Sequence, residues 1–166
     1  AYTRTDIEST AAEKGIHLFS EKPQAITMEV ARCIDDAVRK GGVISAVCFR
    51  ERYRPIFMEA KRLLADKEVV HIRFQSVSGL PSPPSRDAGW SSQLDKGGTS
   101  WFDWGPHAVD YSRYMSGLNV TTAQCFITHS ERHPIPTSAS FNFHLSNGAT
   151  MTANFLAASP GKPPEE

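Results

Sequence analysis

A lysine held between a glutamate and a proline is the first candidate for chemistry. Glu21-Lys22-Pro23 directly follows a short apolar strand candidate, Ile16–Ser20. In open α/β sheets, ligands bind outside the carboxyl ends of the parallel strands, so the tripeptide stands where a ligand would lie. The proline restricts the backbone before it and so aims the lysine, whose ammonium group can donate to a hydroxyl or carbonyl oxygen. Taken alone, the tripeptide fits an ordinary surface turn as well.

A second candidate is the series Asp103, His107 and Asp110. Residues four and three apart share one face of a helix, so the two carboxylates flank the imidazole. A neighbouring carboxylate raises the pKa of an imidazole and orients it, which makes His107 a candidate general acid/base. Pro106 interrupts this helix, which is therefore either kinked there or regular only from about Pro106 onward. A helix-end cluster with a purely structural histidine is the alternative.

Glycines and tryptophans surround this second candidate. Gly97-Gly98 precedes the helix, and paired glycines permit close approach of the backbone to a ligand. The flat rings of Trp90, Trp101 and Trp104 could line a sugar-sized pocket, with ordinary core packing as the alternative for each. No cluster of cysteine, histidine and carboxylate has metal-ligand spacing, so we predict no metal site.

Composition narrows the function classes. The chain has 166 residues, with 18 Lys plus Arg and 18 Asp plus Glu, so its formal net charge is zero. This balance gives no support to a nucleic-acid or polybasic membrane surface, and no apolar run approaches the ~18 residues of a membrane span. Three cysteines without C-x-x-C spacing favour free, buried thiols in a reducing compartment, so we predict a cytoplasmic protein.

The predicted helices and strands follow different patterns in the first fifty residues and in the rest of the chain. The first fifty residues alternate helix and strand, which is typical of a parallel βαβ arrangement; the candidates are Asp6–Lys14, Ile16–Ser20, a helix from Thr27 to about Lys40, and Val43–Phe49. The remainder predicts antiparallel strands mixed with helices: helix Ile56–Ala65, strand Val69–Ser78, loop Leu80–Lys96, a helix within Gly97–Gly117, and strands Val120–Thr128, Ala139–Leu145 and Ala149–Leu156. Asn147-Gly148 predicts a hairpin between the last two strands.

Three motifs, in this order, resemble those of the Gfo/Idh/MocA oxidoreductase family. Residues 12–23, AEKGIHLFSEKP, are similar to the family pattern A-x-x-G-K-H-V-x-x-E-K-P. Residues 49–55, FRERYRP, are similar to F-N-x-R-[FY]-x-P. Residues 97–110 are similar to G-G-x-x-x-x-D-x-G-x-H-x-x-D. Three motifs in the family's order and at compatible spacings are far more specific than any single motif. They favour the functional interpretation of both candidate sites.

The resemblance implies an α/β fold. Residues 1–49 are expected to be the C-terminal portion of a Rossmann NAD(P)-binding domain. Residues 50–166 are expected to be part of an α+β substrate and oligomerisation domain with an open, largely antiparallel sheet. No G-x-G-x-x-G occurs in the sequence, so the first strands of the dinucleotide-binding domain are missing and we expect an internal fragment, inactive by itself.

The resemblance also implies the activity and its residues. It implies hydride transfer between a sugar or polyol hydroxyl and NAD or NADP, with Lys22, Asp103 and His107 catalytic. Glu21, Lys22, Pro23 and Arg50 are expected at the cofactor, Arg50 standing where the family often has Asn; Trp90, Trp101 and Asp110 are expected at the substrate. The expected partners are the small-molecule substrate and further copies in a dimer or tetramer, with no nucleic acid and no membrane. The alternative is a non-catalytic member that binds a sugar or a partner.

Overall fold

The computed structural model describes residues 6–79, 93–129 and 135–159, together with Thr3, Trp90, Glu131 and His133. Most of the predicted loop Leu80–Lys96 lies outside the described residues. Its last part, Leu94–Lys96, is a short 3-10 helix. In the described part, no helix is long and apolar enough to cross a membrane.

The N-terminal part alternates helix and strand as predicted. It consists of helix α1 (Ile7–Glu13), strand β1 (Leu18–Ser20), helix α2 (Met28–Gly41) and strand β2 (Ser45–Val47). The two strands pair in parallel. Thr27 caps α2 by accepting a hydrogen bond from the Val30 amide, and Gly42 ends it in the left-handed conformation. Ala12, Leu18 and Ala37 form the buried contact between the helices and the strands.

The second part places helices against a four-stranded sheet. Its elements are a 3-10 helix Arg50–Tyr53, α3 (Pro55–Leu64), β3 (His71–Gly79), α4 (Ser100–Ser116), β4 (Val120–Thr128), β5 (Ser138–Leu145) and β6 (Thr150–Ser159). The strand order is β3-β6-β5-β4. The predicted hairpin at Asn147-Gly148 joins β5 to β6, and both pairings of β5 are antiparallel, which confirms the largely antiparallel sheet. The sheet is nevertheless mixed, because β3 pairs with β6 in parallel.

Helix α4 carries the second group of candidate residues, and it runs through Pro106. It begins at Ser100, where the Thr99 hydroxyl accepts a hydrogen bond from the Phe102 amide at 3.4 Å. The alternative that the regular helix starts near Pro106 is therefore wrong. Pro106 lies inside the helix and, having no N–H, cannot donate to the carbonyl of Phe102.

Small residues on one face of α4 bring it close to the sheet. Ala108 is fully buried, and a methyl group added at Gly105 would touch Phe155 at 3.9 Å. Beneath them lies the core, whose buried members are Trp101, Ala108, Ala139, Leu145, Ala149, Met151, Ala153 and Phe155. Asp103, His107 and Asp110 lie on the other face of the helix. Packing against the sheet thus turns the candidate residues toward the N-terminal part of the chain.

The opposite face of the sheet is open among the described residues. Alternation along the strands makes it polar, and its central rows are His71, Thr150, His144 and Thr122, then Arg73, Thr152, Asn142 and Gln124. Most of these side chains are exposed. The three cysteines are free, but Cys33 and Cys125 are exposed rather than buried as predicted.

Candidate functional site

Lys22 and Asp103 lie in direct contact, although 81 residues separate them in the sequence. The Lys22 ammonium donates to the backbone carbonyl of Asp103 at 2.8 Å and forms an ion pair with its carboxylate Oδ1. Lys22 follows β1, at the carboxyl end of the parallel pair, and Asp103 lies in the first turn of α4. The lysine side chain is 17% exposed and the aspartate 41%, so the pair is partly withdrawn from water but reachable from one side.

His107 lies one turn beyond Asp103 on the same face of α4 and is buried, with 7% of its surface exposed. Three aromatic rings surround the imidazole: Phe49 meets it edge-on at a centroid distance of 5.9 Å, Trp104 lies at 5.7 Å, and Tyr111 stacks on it at 5.6 Å. Its Nδ1 atom is buried and has no hydrogen-bond partner among the described residues. The packing of three rings around it therefore fixes the orientation of the imidazole.

The pKa of His107 lies below the ordinary imidazole value. Burial is the main cause, and the nearby Lys22 ammonium lowers the pKa further; the carboxylates of Asp103, Glu51 and Asp110 act in the opposite direction without prevailing. The prediction that Asp103 raises the pKa of His107 overall is therefore wrong. The carboxylate does pull it upward, but burial and Lys22 outweigh that effect. At neutral pH the imidazole is uncharged and can accept a proton.

Asp110 has a different partner from the one predicted. Its side chain is 3% exposed, and Arg52 donates to both of its carboxylate oxygens, from Nε to Oδ1 at 2.9 Å and to Oδ2 at 3.0 Å. The Nη2 group of Arg52 bonds Oδ1 as well. This placement argues against the predicted substrate contact, because the guanidinium already occupies the carboxylate. Arg52 was not among the predicted site residues, although the motif Phe49–Pro55 contains it.

A pocket of about 290 Å³ opens beside the Lys22–Asp103 pair, at the lower end of the usual size for a ligand site. It is lined by Glu21, Lys22, Pro23, Ile26, Trp90, Lys96, Gly97 and Asp103. Five of the predicted site residues are thus brought together here. Trp90 is 43% exposed, so its ring is open to a bound molecule.

The other four predicted site residues do not line this pocket: His107 and Asp110 lie further along α4, and Trp101 and Arg50 lie elsewhere. Trp101 is 9% exposed and belongs to the core between α4 and the sheet, which argues against its predicted substrate contact. The side chain of Arg50 is 83% exposed and pairs with Glu51 at 3.3 Å, outside the pocket that Lys22 lines. The sequence left Trp104 as either a pocket residue or a core residue. In the structure it is half-exposed beside His107.

The glycine pair before α4 allows two segments of backbone to pack closely beside the pocket. Gly97 adopts the left-handed conformation at φ 77°. A methyl group added at Gly98 would lie 2.6 Å from the Trp90 carbonyl oxygen and equally close to backbone atoms of Gln93. The close approach predicted for these glycines is therefore to the chain's own backbone rather than to a ligand. It holds the backbone of Trp90 against the start of α4, next to Asp103.

Across the described ranges, no three His, Cys, Asp or Glu side chains could hold a metal ion together. The chemistry available is that of an ammonium group, a carboxylate, a neutral imidazole and aromatic walls. These groups suit proton transfer at a hydroxyl or carbonyl oxygen.

Comparison with known proteins decides the family. Residues 57–165 match the sequence model of the GFO/IDH/MocA C-terminal domain, which is well over half of the chain. The chain belongs to the Gfo/Idh/MocA family. The resemblance inferred from the three motifs is thereby confirmed.

Two curated relatives illustrate the range of the family. The chain is 27% identical to a scyllo-inositol 2-dehydrogenase (NAD(+)) from Bacillus subtilis, over 72% of this chain and 34% of that protein. It is 28% identical to levoglucosan dehydrogenase from Pseudarthrobacter phenanthrenivorans, over 70% of this chain and 31% of that protein. The chain thus spans about a third of the length of the curated relatives that it matches.

Solved structures share the fold over almost the entire chain. An oxidoreductase domain protein from Kribbella flavida superimposes with a TM-score of 0.78 at 24% identity, covering 96% of this chain and 48% of that one. An inositol dehydrogenase homolog from Azotobacter vinelandii, solved with NAD+, superimposes with a TM-score of 0.77 at 21% identity, covering 95% of this chain and 43% of that one. At these identities the likeness establishes the fold, and the site must be argued from its own residues.

Proposed function

We propose that this chain carries the acid/base residues of an NAD(P)-dependent oxidoreductase that transfers hydride between the hydroxyl-bearing carbon of a sugar or polyol and nicotinamide. The observation that carries the proposal is the contact of Lys22 with Asp103, one helical turn from the buried His107. We propose further that the chain works within a longer protein, called here the parent protein, because its matched part covers only about a third of its curated relatives. Residues 1–49 are then part of its Rossmann domain, and residues 50–166 are part of its substrate domain.

Each catalytic residue has a task that follows from its surroundings. His107 is neutral because burial and Lys22 lower its pKa, so it accepts the proton of the substrate hydroxyl. Lys22 donates a hydrogen bond to the same oxygen and stabilises the negative charge that develops there. Asp103 fixes the ammonium group at the pocket wall through its carboxylate and its backbone carbonyl. General acid–base assistance of this kind is worth ~10²–10⁴-fold in rate.

The residues at the carboxyl ends of β1 and β2 fit one half of the cofactor. Glu21, Lys22 and Pro23 line a pocket at the edge where a parallel sheet binds its ligands, so they would hold the nicotinamide end. Arg50, which is largely exposed after β2, would reach toward the same end. A bound NAD or NADP supplies the hydride acceptor. The sequence has no glycine-rich turn for the pyrophosphate, which the rest of the parent protein would provide.

The pocket suits a hydroxylated small molecule. Trp90 offers a flat apolar ring for a sugar face, and Lys22 and Asp103 offer polar groups to its hydroxyls. The parent protein is expected to be a dimer or tetramer, and the open polar face of the sheet is the surface that we propose for that association. This surface is remote from the pocket, since it lies on the side of the sheet that α4 does not cover.

The test is oxidation of a panel of polyols and sugars by the parent protein, with NAD and with NADP, for the wild type and the Lys22→Met variant. Lys67→Met is the matched control, because Lys67 also pairs with an aspartate, Asp66 at 2.8 Å, but is exposed and remote from the pocket. We expect Lys22→Met to lose at least ~10²-fold in kcat and Lys67→Met to keep it. Full turnover by Lys22→Met contradicts the proposal. Binding of a sugar without any turnover by the wild type favours the non-catalytic alternative.

A further inference from the structure

Arg52 has no part in the chemistry proposed above, yet it touches the surroundings of His107 on several sides. It lies in the 3-10 helix that joins β2 to α3. Its guanidinium grips both oxygens of the buried Asp110, and its Cζ atom lies 5.8 Å from the ring centroid of Phe49 and 5.5 Å from that of Tyr114. These contacts span from the N-terminal part of the chain to the middle of α4.

These contacts close a ring of four residues. Asp110 and His107 are three apart on one face of α4. From Asp110 the ring passes through the ion pair to Arg52, whose own backbone N–H donates to the carbonyl of Phe49 at 3.2 Å. Phe49 then meets the His107 imidazole edge-on, with an interplanar angle of 74°. The position of the Phe49 ring against the imidazole is therefore tied to the same helix that carries the imidazole.

The geometry of the ion pair requires arginine rather than a positive charge alone. A planar guanidinium can bond both oxygens of one carboxylate at once, whereas a lysine ammonium is a point donor on a flexible stem. The same two-pronged pair occurs between Arg62 and Glu59 on α3, with bonds of 2.8 and 2.7 Å. There both side chains are more than half exposed, so that pair holds no buried group in place.

We propose that Arg52 is a positioning residue for His107: by gripping Asp110 it holds Phe49 against the imidazole and keeps that ring in its buried orientation. The proposal deepens the proposed function, on which it rests in so far as His107 is the acid/base. In this proposal the Arg52–Asp110 pair keeps the surroundings of His107 in place, and Asp110 does not contact the substrate.

The charges that face His107 determine what a change at Arg52 does. Lys22 faces it from the segment after β1, Glu51 from the 3-10 helix, and Asp103 and Asp110 from α4. Burial is the largest influence on the pKa of His107 and lowers it. When Phe49 loosens, water reaches the imidazole and that influence weakens, so the pKa rises toward its ordinary value. Replacement of Arg52 by Lys keeps the positive charge but removes the planar guanidinium, and with it the two-pronged bond to Asp110 and the contacts with the rings of Phe49 and Tyr114.

The experiment follows the Cε1–H signal of His107 by NMR against pH in the parent protein labelled at histidine, without cofactor or substrate, with the signal assigned from a His107→Asn variant. We expect Arg52→Lys to raise the titrated pKa of His107 and Arg62→Lys, the matched control, to leave it unchanged. Phe49→Leu should raise it as well. In the Phe49→Leu background, adding Arg52→Lys should cause little further rise, because both changes release the same contact.

The outcomes separate the proposal from its alternatives. An unchanged His107 titration in Arg52→Lys overturns it, as does an equal shift in Arg62→Lys, which would indicate general loosening of the fold. Additive shifts for Phe49→Leu and Arg52→Lys overturn the route through Phe49. The NMR titration needs no turnover, so it can succeed even when the proposed activity fails. In the parent protein, Arg52→Lys should move the acidic limb of the kcat profile upward in pH, which a merely structural role would not do.

Discussion

The ammonium group of Lys22 bonds both the side chain and the backbone carbonyl of Asp103, and so joins the strand that ends before Lys22 to the first turn of α4. A second ion pair, Arg52 with Asp110, joins the 3-10 helix after β2 to α4, two turns further along that helix. His107 lies between these two links. The site is therefore held at both ends by cation–carboxylate pairs, with a neutral, buried imidazole in the middle.

The buried, neutral state of His107 predicts a pH dependence of stability. Its pKa is lowered in the folded chain and is ~6.5 in the unfolded chain. Below pH ~6.5 the unfolded chain binds a proton that the folded chain still rejects, so stability falls as the pH falls toward the folded pKa. Above pH ~6.5 His107 is neutral in both the folded and the unfolded chain, so stability no longer changes with pH through this residue. We expect His107→Gln to flatten this segment of the curve.

The measurement is the free energy of unfolding in urea at several pH values between 7.5 and 5, for the wild type and His107→Gln. The slope with pH carries the information, so a pH-independent loss from altered packing does not affect the result. An identical slope in the variant would show that His107 is not held neutral by burial.

The close backbone approach at Gly98 predicts a packing defect. The methyl group of Gly98→Ala would lie 2.6 Å from three backbone atoms of Trp90 and Gln93, none of which is the flexible end of a side chain. We expect a loss of ~1–3 kcal/mol in the free energy of unfolding, the usual cost of overpacking. Gly79→Ala is the control, because a methyl group there meets nothing within 4 Å. Equal stabilities of the two variants would contradict the predicted clash.

Much of this arrangement could be predicted from local sequence signals. Hydrophobic periodicity, the Thr27 cap and the Asn147-Gly148 turn are short-range features, and the elements that they predict are present in the structure. Three motifs predicted the family, which is confirmed. The resemblance to the family places Lys22 and Asp103 in one catalytic site, and the structure brings these two side chains together.

What could not be predicted depends on distant parts of the chain. The parallel pairing of β3 with β6 joins segments about seventy residues apart, which periodicity cannot register. Trp101 faces the core because Gly105 and Ala108 draw α4 onto the sheet. The direction of the His107 pKa shift results from competing influences, and burial, the strongest of them, is visible only in three dimensions.

The sequence also predicts weak cofactor binding by the chain alone. Pyrophosphate binding needs a glycine-rich turn that leads into a helix N-terminus, and no G-x-G-x-x-G occurs in these 166 residues. Calorimetric titration of the chain with NAD and with NADP should therefore show no micromolar binding. Micromolar affinity would show that the nicotinamide end of the site suffices for binding and that the glycine-rich turn is not required.

The most direct test of the proposed acid/base is turnover by His107→Asn in the parent protein, measured per folded molecule across pH. Asn keeps a polar side chain of similar size but cannot carry the proton. We predict that kcat falls by ~10²–10⁴-fold while KM changes little, and that the limb on the acidic side, below the ordinary imidazole pKa, disappears. Near-normal turnover with an unchanged acidic limb would contradict the assignment of His107 as the group that accepts the proton.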